Sequence, residues 1–380
     1  MAVDPLAPKV WFKLVMQGKD ITEDIAALCT RLEIGASVEG ESDTLDVDLY
    51  DPDAWLVAGR FLNDWFPPLG ASLECSIGYE GGGSLPVTRY ELDEPTGTIS
   101  ATSGETLRLS CKSTPITQPA NTKGSKEYEK TTLDKIAADV AKRTGLELKG
   151  RVKPVVIDRV SQKDETPLEF LKRISEKHGL ILKVQDAKFI VFWDLEDLDS
   201  QPAAFTLDRS ELTNATWKRT STEKYDSAEL TYTDPQSGKT FKATVKASEV
   251  SGEKSEPSEG DTAKPDKSKP PEGEKKTANV LKISEPVGSD DEAKRVTREK
   301  LRRANANEVE WQIDVIGDPR IQAGVMFELG GVGRLSGNYL IQECRHSVEG
   351  RSGWKTNFRC ERRLGSGAKP LDAGRFDVDG

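Results

Sequence analysis

The chain has 380 residues and a mass of 41.8 kDa; at roughly 100–200 residues per domain this suggests two to four domains, each able to bury a core. Its 54 basic and 64 acidic side chains leave a net charge of −10, which argues against a basic nucleic-acid-binding surface over the whole chain and against docking on anionic lipid. No apolar run approaches the roughly 18–20 residues of a membrane helix, and Met1 to Pro8 carries no signal pattern, so synthesis in the cytoplasm is expected.

The opening stretch, to residue 112, reads as β-rich. Val10, Phe12 and Leu14 alternate with Trp11, Lys13 and Val15. Leu45-Asp46-Val47-Asp48-Leu49 is the clearest strand, with apolar side chains on one face and carboxylates on the other. Asp51-Pro52 ends it, because proline cannot donate to a ladder. Gly81-Gly82-Gly83-Ser84 connects strands expected over 73–79 and 85–92, and a further strand is expected over 106–111. Short strands at this spacing predict a barrel or a sandwich.

Residues 113–200 read as α+β. Leu133, Ile136, Ala137, Val140 and Ala141 line one face of a helix that Gly145 is placed to end. Thr166-Pro167-Leu168-Glu169 opens a second helix with a capping box and a proline at the first helical position. Gly179 stops it, and a hairpin is expected over 180–184 and 189–193.

The third stretch, 201–365, returns to β. Phe241, Ala243 and Val245 alternate after the turn at 234–238. Residues 249–277 are almost all Glu, Lys, Ser, Pro, Gly and Asp, a composition that cannot offset its ordering entropy by burial. This segment is expected to be a disordered charged insertion. Ser289-Asp290-Asp291-Glu292 starts a helix over 289–304 whose narrow apolar stripe suits a helix lying across a barrel. Strands are expected over 311–315, 325–329, 339–347 and 355–361, and 366–380 is a loose tail. The order is β, α+β, β, and the two β-rich stretches are candidates for a diverged duplication.

No catalytic constellation emerges. The five cysteines (Cys29, Cys75, Cys111, Cys344, Cys360) form no CxxC pair, so buried thiols are expected rather than a disulfide framework or a zinc site. His178 sits where a helix should end, and His346 lies in an expected strand; neither has a partner at metal-ligand spacing. The glycines of 330–337 miss both the dinucleotide and the Walker spacing and read as a hairpin. Trp55, Trp65 and Phe66 are expected in the core, and Asn214-Ala215-Thr216 is a sequon without consequence in an unsecreted chain. Neither catalytic, cofactor-binding nor metal-binding residues are assigned, no cofactor is expected, and a structural or assembly role fits best.

Four segments resemble the phage late control gene D proteins, baseplate hub proteins of contractile-tailed phages, Mu-like phages and R-type pyocins. They are the strand 43–52, the capped helix and hairpin of 164–193, the segment 311–324, and Leu335-Ser336-Gly337-Asn338-Tyr339-Leu340-Ile341-Gln342-Glu343-Cys344-Arg345-His346. The insertion 249–277 lies outside the pattern. The resemblance implies an α+β, mainly β chain in which two barrel-like domains, 1–112 and 201–365, flank an α+β domain, 113–200. It implies a non-enzymatic homotrimer whose ring adapts a sixfold tail tube to a threefold spike. The implied partners are the trimeric tail spike protein, the tail tube protein and other baseplate proteins. Neither specific nucleic-acid binding nor stable membrane insertion is implied. The implied place is the virion baseplate or a pyocin-like particle, reached from the host cytoplasm. The acidic balance suits a ring lumen that repels passing DNA; lumen-facing side chains that are net basic would contradict it. The alternatives are the hub of a non-phage contractile injection system and a wall-degrading or carbohydrate-binding tail protein.

Overall fold

The computed structural model describes residues 8–38, 42–53, 56–63, 65–100, 102–116, 120–150, 152, 154–194, 197–198, 201–219, 225–234, 238–250, 279–305, 309–350 and 353–362. The fold is α+β and mainly β. It divides into two units, residues 1–218 with 309–380, and residues 219–308.

The larger unit begins with β1 (Val10–Met16), β2 (Lys19–Asp20), α1 (Thr22–Ala26), β3 (Cys29–Ser37), β4 (Thr44–Asp51), β5 (Ser72–Tyr79), β6 (Thr88–Thr98) and β7 (Glu105–Lys112). Strand β4 follows its sequence pattern: Leu45, Val47 and Leu49 are buried, and Asp46 and Asp48 lie half-exposed on the other face. Asp51 closes the strand with a second role. Its buried carboxylate accepts from the Leu56 and Val57 amides at 2.6 and 2.9 Å and starts a π-helical turn over Val57–Phe61. All neighbours pair antiparallel, in the order β3-β4-β7-β6-β5-β1. Leu14, Leu32, Leu45, Val47, Leu73 and Ile77 fill the core behind them.

The α+β part follows with β8 (Gly124–Thr132), α2 (Leu133–Thr144), β9 (Glu147–Lys149), β10 (Val156–Glu165), α3 (Pro167–Lys177), β11 (Leu180–Gln185) and β12 (Phe189–Asp194). Leu133, Ile136, Ala137 and Val140 of α2 pack with Phe170, Leu171 and Ile174 of α3, which buries both helical stripes at once. Gly145 ends α2 at φ +74°, a left-handed backbone that glycine adopts without strain. The capping box of α3 is complete: Thr166 Oγ1 accepts from the Glu169 amide at 3.2 Å, and Glu169 Oε2 accepts from the Thr166 amide at 2.8 Å.

The chain then forms β13 (Phe205–Asp208) and β14 (Leu212–Arg219) before it enters the second unit. That unit holds β15 (Ser227–Thr233), β16 (Thr240–Lys246), α4 (Ala247–Val250), β17 (Val280–Ile283) and α5 (Asp290–Asn305). The three strands form their own sheet in the order β16-β15-β17. Helix α5 lays Ala293 and Val296 on Leu230, Phe241 and Ala243, and Leu301 on Ala228 and Val245. Its narrow stripe therefore serves this small sheet and does not cross a barrel. Its start differs by one residue from the expected capping box: Ser289 Oγ accepts from the Glu292 amide at 3.1 Å, and Glu292 Oε2 accepts from the Gly288 amide at 2.8 Å. The charged insertion 249–277, from residue 251 on, and the tail 366–380 lie outside the described residues.

The larger unit resumes with β18 (Val309–Ile316), β19 (Met326–Gly330), β20 (Gly337–Glu349) and β21 (Gly353–Arg362). Among the described residues these strands form no separate sheet. They join the first set in one 13-stranded sheet whose pairing path is open, from β14 at one end to β2 at the other. The two barrel-like domains expected over 1–112 and 201–365 are not seen as closed sheets among the described residues, because β3 spends its second edge on β20 and not on a strand of its own half.

The two halves of that sheet share one plan. The order β3-β4-β7-β6-β5-β1 is repeated as β14-β18-β21-β20-β19-β13, with one difference in the last strand: β1 runs antiparallel to β5, whereas β13 runs parallel to β19. Both copies carry a register shift at the same place, between Leu92 and Glu94 opposite β7 and between Ile341 and Glu343 opposite β21. Leu92 faces Cys111 as Ile341 faces Cys360. The turn before β5 and β19 is also repeated: Gly70 at φ +82° donates to the Leu92 carbonyl, and Gly324 at φ +85° donates to the Ile341 carbonyl, both at 2.8 Å. Bulges and left-handed glycines are specific backbone devices, so their repetition marks a duplication.

The halves also meet through a ring contact. Trp354 of β21 is buried in the core of the first half, 5.0 Å from the Tyr79 ring. Tyr79 donates its hydroxyl to the Gly317 carbonyl at 3.0 Å. A Cβ on Gly317 would lie 2.1 Å from Trp354 Cγ, so only glycine admits the indole. Gly317→Ala is expected to lower stability by about 1–3 kcal/mol through overpacking. Gly124→Ala, where an added Cβ meets nothing within 4 Å, is expected to stay within roughly 0.5 kcal/mol of wild type. Denaturant titration of the two variants measures both.

Candidate assembly interface

The join between the halves is the structure's one example of how two such modules meet. Strand β3 runs antiparallel to β20, from Ser37 opposite Glu343 to Arg31 opposite Glu349. The Val38 amide extends the ladder by donating to the Gln342 carbonyl at 2.8 Å. Leu32 and Ile34 face Val348 and His346, so the seam is apolar on the core side. At its open end Arg31 pairs with Glu33 and lies 3.7 Å from Glu349. These charges are exposed enough that they orient the seam more than they stabilise it. Strand β3 is not among the strands expected from the sequence, although Leu32 and Ile34 alternate with Arg31 and Glu33 there.

A buried ion pair fixes the α+β part to this seam. Lys183 of β11 and Asp43, just before β4, are 2.7 Å apart, with side chains 5% and 12% exposed. Lys183 Nζ also donates to the Ser37 carbonyl at 3.1 Å, at the last seam residue, and lies 5.3 Å from the centre of the Trp193 ring. Burial pushes the Asp43 carboxyl up, and the Lys183 charge pulls against that shift. Ser113 completes the junction. Its amide donates to the Asp43 carbonyl at 2.8 Å, its hydroxyl accepts from the Asp43 amide at 3.0 Å, and the same hydroxyl donates to the Val184 carbonyl at 3.2 Å. Removing one partner of such a pair strands the other charge in a dry site. Lys183→Met is therefore expected to cost about 3–5 kcal/mol, and Lys183→Met with Asp43→Asn much less than the sum of the single changes. A double-mutant cycle on unfolding midpoints reads this.

The residues singled out from sequence fall in separate places. His346 is buried in β20, with Nε2 2.9 Å from the Ile321 carbonyl and Nδ1 3.0 Å from Thr356 Oγ1. The carbonyl can only accept, which assigns the ring proton to Nε2 and makes the threonine hydroxyl the donor to Nδ1. His178 caps the C-terminus of α3, and Gly179 follows at φ +74°. The glycines of 330–337 form the β19–β20 hairpin turn, in which Leu329 pairs with Gly337. Trp65 packs on the first core and carries Lys19 and Arg60 over its ring, whereas Phe66 is 66% exposed. The core expectation is thus corrected for Phe66, which shares the surface with Leu62 and Leu69; Trp55 lies outside the described residues. Asn214 donates to Asp314 Oδ2 at 3.1 Å, between β14 and β18. All five cysteines are free thiols, and burial raises each above its ordinary range, Cys29 to about 11 and Cys344 to about 12.

Burial lowers the His346 pKa from 6.5 to about 4. Below pH 6.5 the unfolded chain takes up a proton that the native ring refuses until about pH 4. Stability from this site is therefore present above pH 6.5 and is lost as pH falls towards 4, by roughly 3 kcal/mol. The acid slope of the unfolding midpoint over this window should flatten in His346→Asn relative to wild type.

The sequence profile of the phage tail baseplate hub (GPD) family matches residues 106–352. The probable baseplate hub protein of Escherichia phage 186 is 23% identical over 187 residues, 49% of this chain and 45% of that protein. The chain thus spans about half the length of the curated relative it matches. The fold is shared with the 43 kDa tail protein of prophage MuSo2 from Shewanella oneidensis, at a TM-score of 0.63, 17% identity, and coverage of 94% of this chain and 99% of that one. It is shared more distantly with an E. coli component of the type VI secretion system, at a TM-score of 0.52, 9% identity, and coverage of 96% and 80%. With the profile covering well over half of its length and the duplicated, edge-joined sheet beneath it, this chain belongs to the phage tail baseplate hub (GPD) family.

Proposed function

We propose that the chain is a non-catalytic structural hub, and that three copies form a ring between a sixfold tail tube and a threefold spike in a contractile tail. The observation that carries this reading is the duplication. One chain contains two modules of the same strand order, so three chains offer six similar modules around an axis while keeping true threefold symmetry. Each half has its own hydrophobic core, and the α+β part, 113–200, is braced against the first half by the Asp43–Lys183 pair. Domains 1–112 and 201–365 would form the ring, with the remaining surfaces turned to spike, tube and other baseplate proteins. The hub role requires surfaces and stiffness and asks for no chemistry from the buried histidine or thiols. The place of action is the virion baseplate or a related particle.

Light scattering on purified protein at low micromolar concentration tests the ring. The expected mass is about 125 kDa, three times the 41.8 kDa chain. A mass of one chain, unchanged at tenfold higher concentration, would overturn it.

A further inference from the structure

We infer that the contact between neighbouring copies is a second β seam, in which β14 of one chain pairs antiparallel with the Glu94–Thr98 portion of β6 in the next. The inference rests on the ring reading and names the surface that would close the ring.

In the first module the end strand is β3, and in the second it is β14. In the second module β20 spends one edge on β21. Its other edge serves β19 over Gly337–Leu340 and then β3 over Glu343–Glu349. The counterpart of β20 is β6. It spends one edge on β7, and its other edge serves β5 over Thr88–Glu91. Beyond the bulge, Glu94 to Thr98 have no second strand partner among the described residues. They are the counterparts of Glu343 to Ser347, the residues that β3 covers. Likewise, among the described residues β14 pairs with β18 alone, while its counterpart β3 is flanked on both sides. Each chain therefore makes one end-strand-to-bulged-strand seam internally and leaves one half of a second seam at each end.

Exposure follows the same division. In β14 only Leu212 and Ala215 are half-buried and the rest is exposed, whereas β3 is almost entirely covered. Trp217 on β14 is 54% exposed, and Ile99, just past β6, is 66% exposed. An uncovered strand edge with large apolar side chains is a template for another chain. Charge and direction agree as well. The antiparallel seam sets the C-terminal end of β3, Ser37, against Glu343. The same orientation sets the basic end of β14, Lys218 and Arg219, against Glu94, the counterpart of Glu343. Pro95 withholds one amide from the ladder, which disfavours indiscriminate pairing and leaves side chains to select the partner. Because the seam joins two different edges, it is heterologous, and repeated about a threefold axis it closes a ring rather than an isolated pair.

Disulfide trapping tests the seam. In the full chain carrying Cys29→Ser, Thr96→Cys is combined in turn with Thr216→Cys, Trp217→Cys and Lys218→Cys; all four positions are exposed. A parallel set replaces Thr96→Cys by Lys13→Cys on β1, near the other end of the sheet. After mild oxidation, at least one Thr96 combination should run as covalent dimers and trimers on a denaturing non-reducing gel, and the Lys13 set should run as monomers. A trimeric mass in solution with no cross-link from any Thr96 combination, or with cross-links from Lys13 alone, would overturn the seam and leave the ring standing. A monomeric mass at all concentrations would overturn both.

Discussion

A β-strand carries backbone donors and acceptors on both edges, and each edge must find a partner or face water. The architecture of the larger unit follows from where those edges are spent. Strand β3 is the end of its own module, and it uses its outer edge on β20. That single choice turns two similar six-strand sets into one 13-stranded sheet and keeps the first set from closing on itself. It also fixes the relation between the modules along the whole ladder, because a slip of one residue would turn Leu32 and Ile34 away from the core.

The remaining contacts at the join make this arrangement rigid. Trp354 reaches from β21 into the first core and stacks near Tyr79, so the second module completes the packing of the first. Gly317 leaves room for the indole. The Asp43–Lys183 pair sits where β11 meets the end of the seam, with Ser113 hydrogen-bonded to both sides of the junction. A buried ion pair is a weak source of net stability, but it tolerates little displacement, because either charge left alone would be costly.

The sequence made much of the local structure legible. The β4 alternation, the α2 stripe with its glycine stop, and the α3 capping box all appear where their residues place them. Each is decided within a few positions by period, cap chemistry or backbone preference. The misses have a common cause. Phe66 reads as core by residue type but lies on the surface, because burial depends on what the rest of the fold brings to that side. The stripe on α5 reads as suited to a barrel but serves a small sheet of its own, because a stripe records that something apolar covers it and not what does so.

The sequence by itself determined the β, α+β, β order, the bulk of the strands and helices and, through four segments, the family. The tertiary structure decided how the strands are shared. The two β stretches have diverged so far that their common plan is not visible in residue identities. It shows in the strand order, in the paired bulges at Leu92 to Glu94 and Ile341 to Glu343, and in the left-handed glycines Gly70 and Gly324. The physical reason is that side-chain pattern specifies which face of a strand is buried, while backbone hydrogen bonding, which is nearly the same for every residue, leaves the choice of neighbour to the fold as a whole.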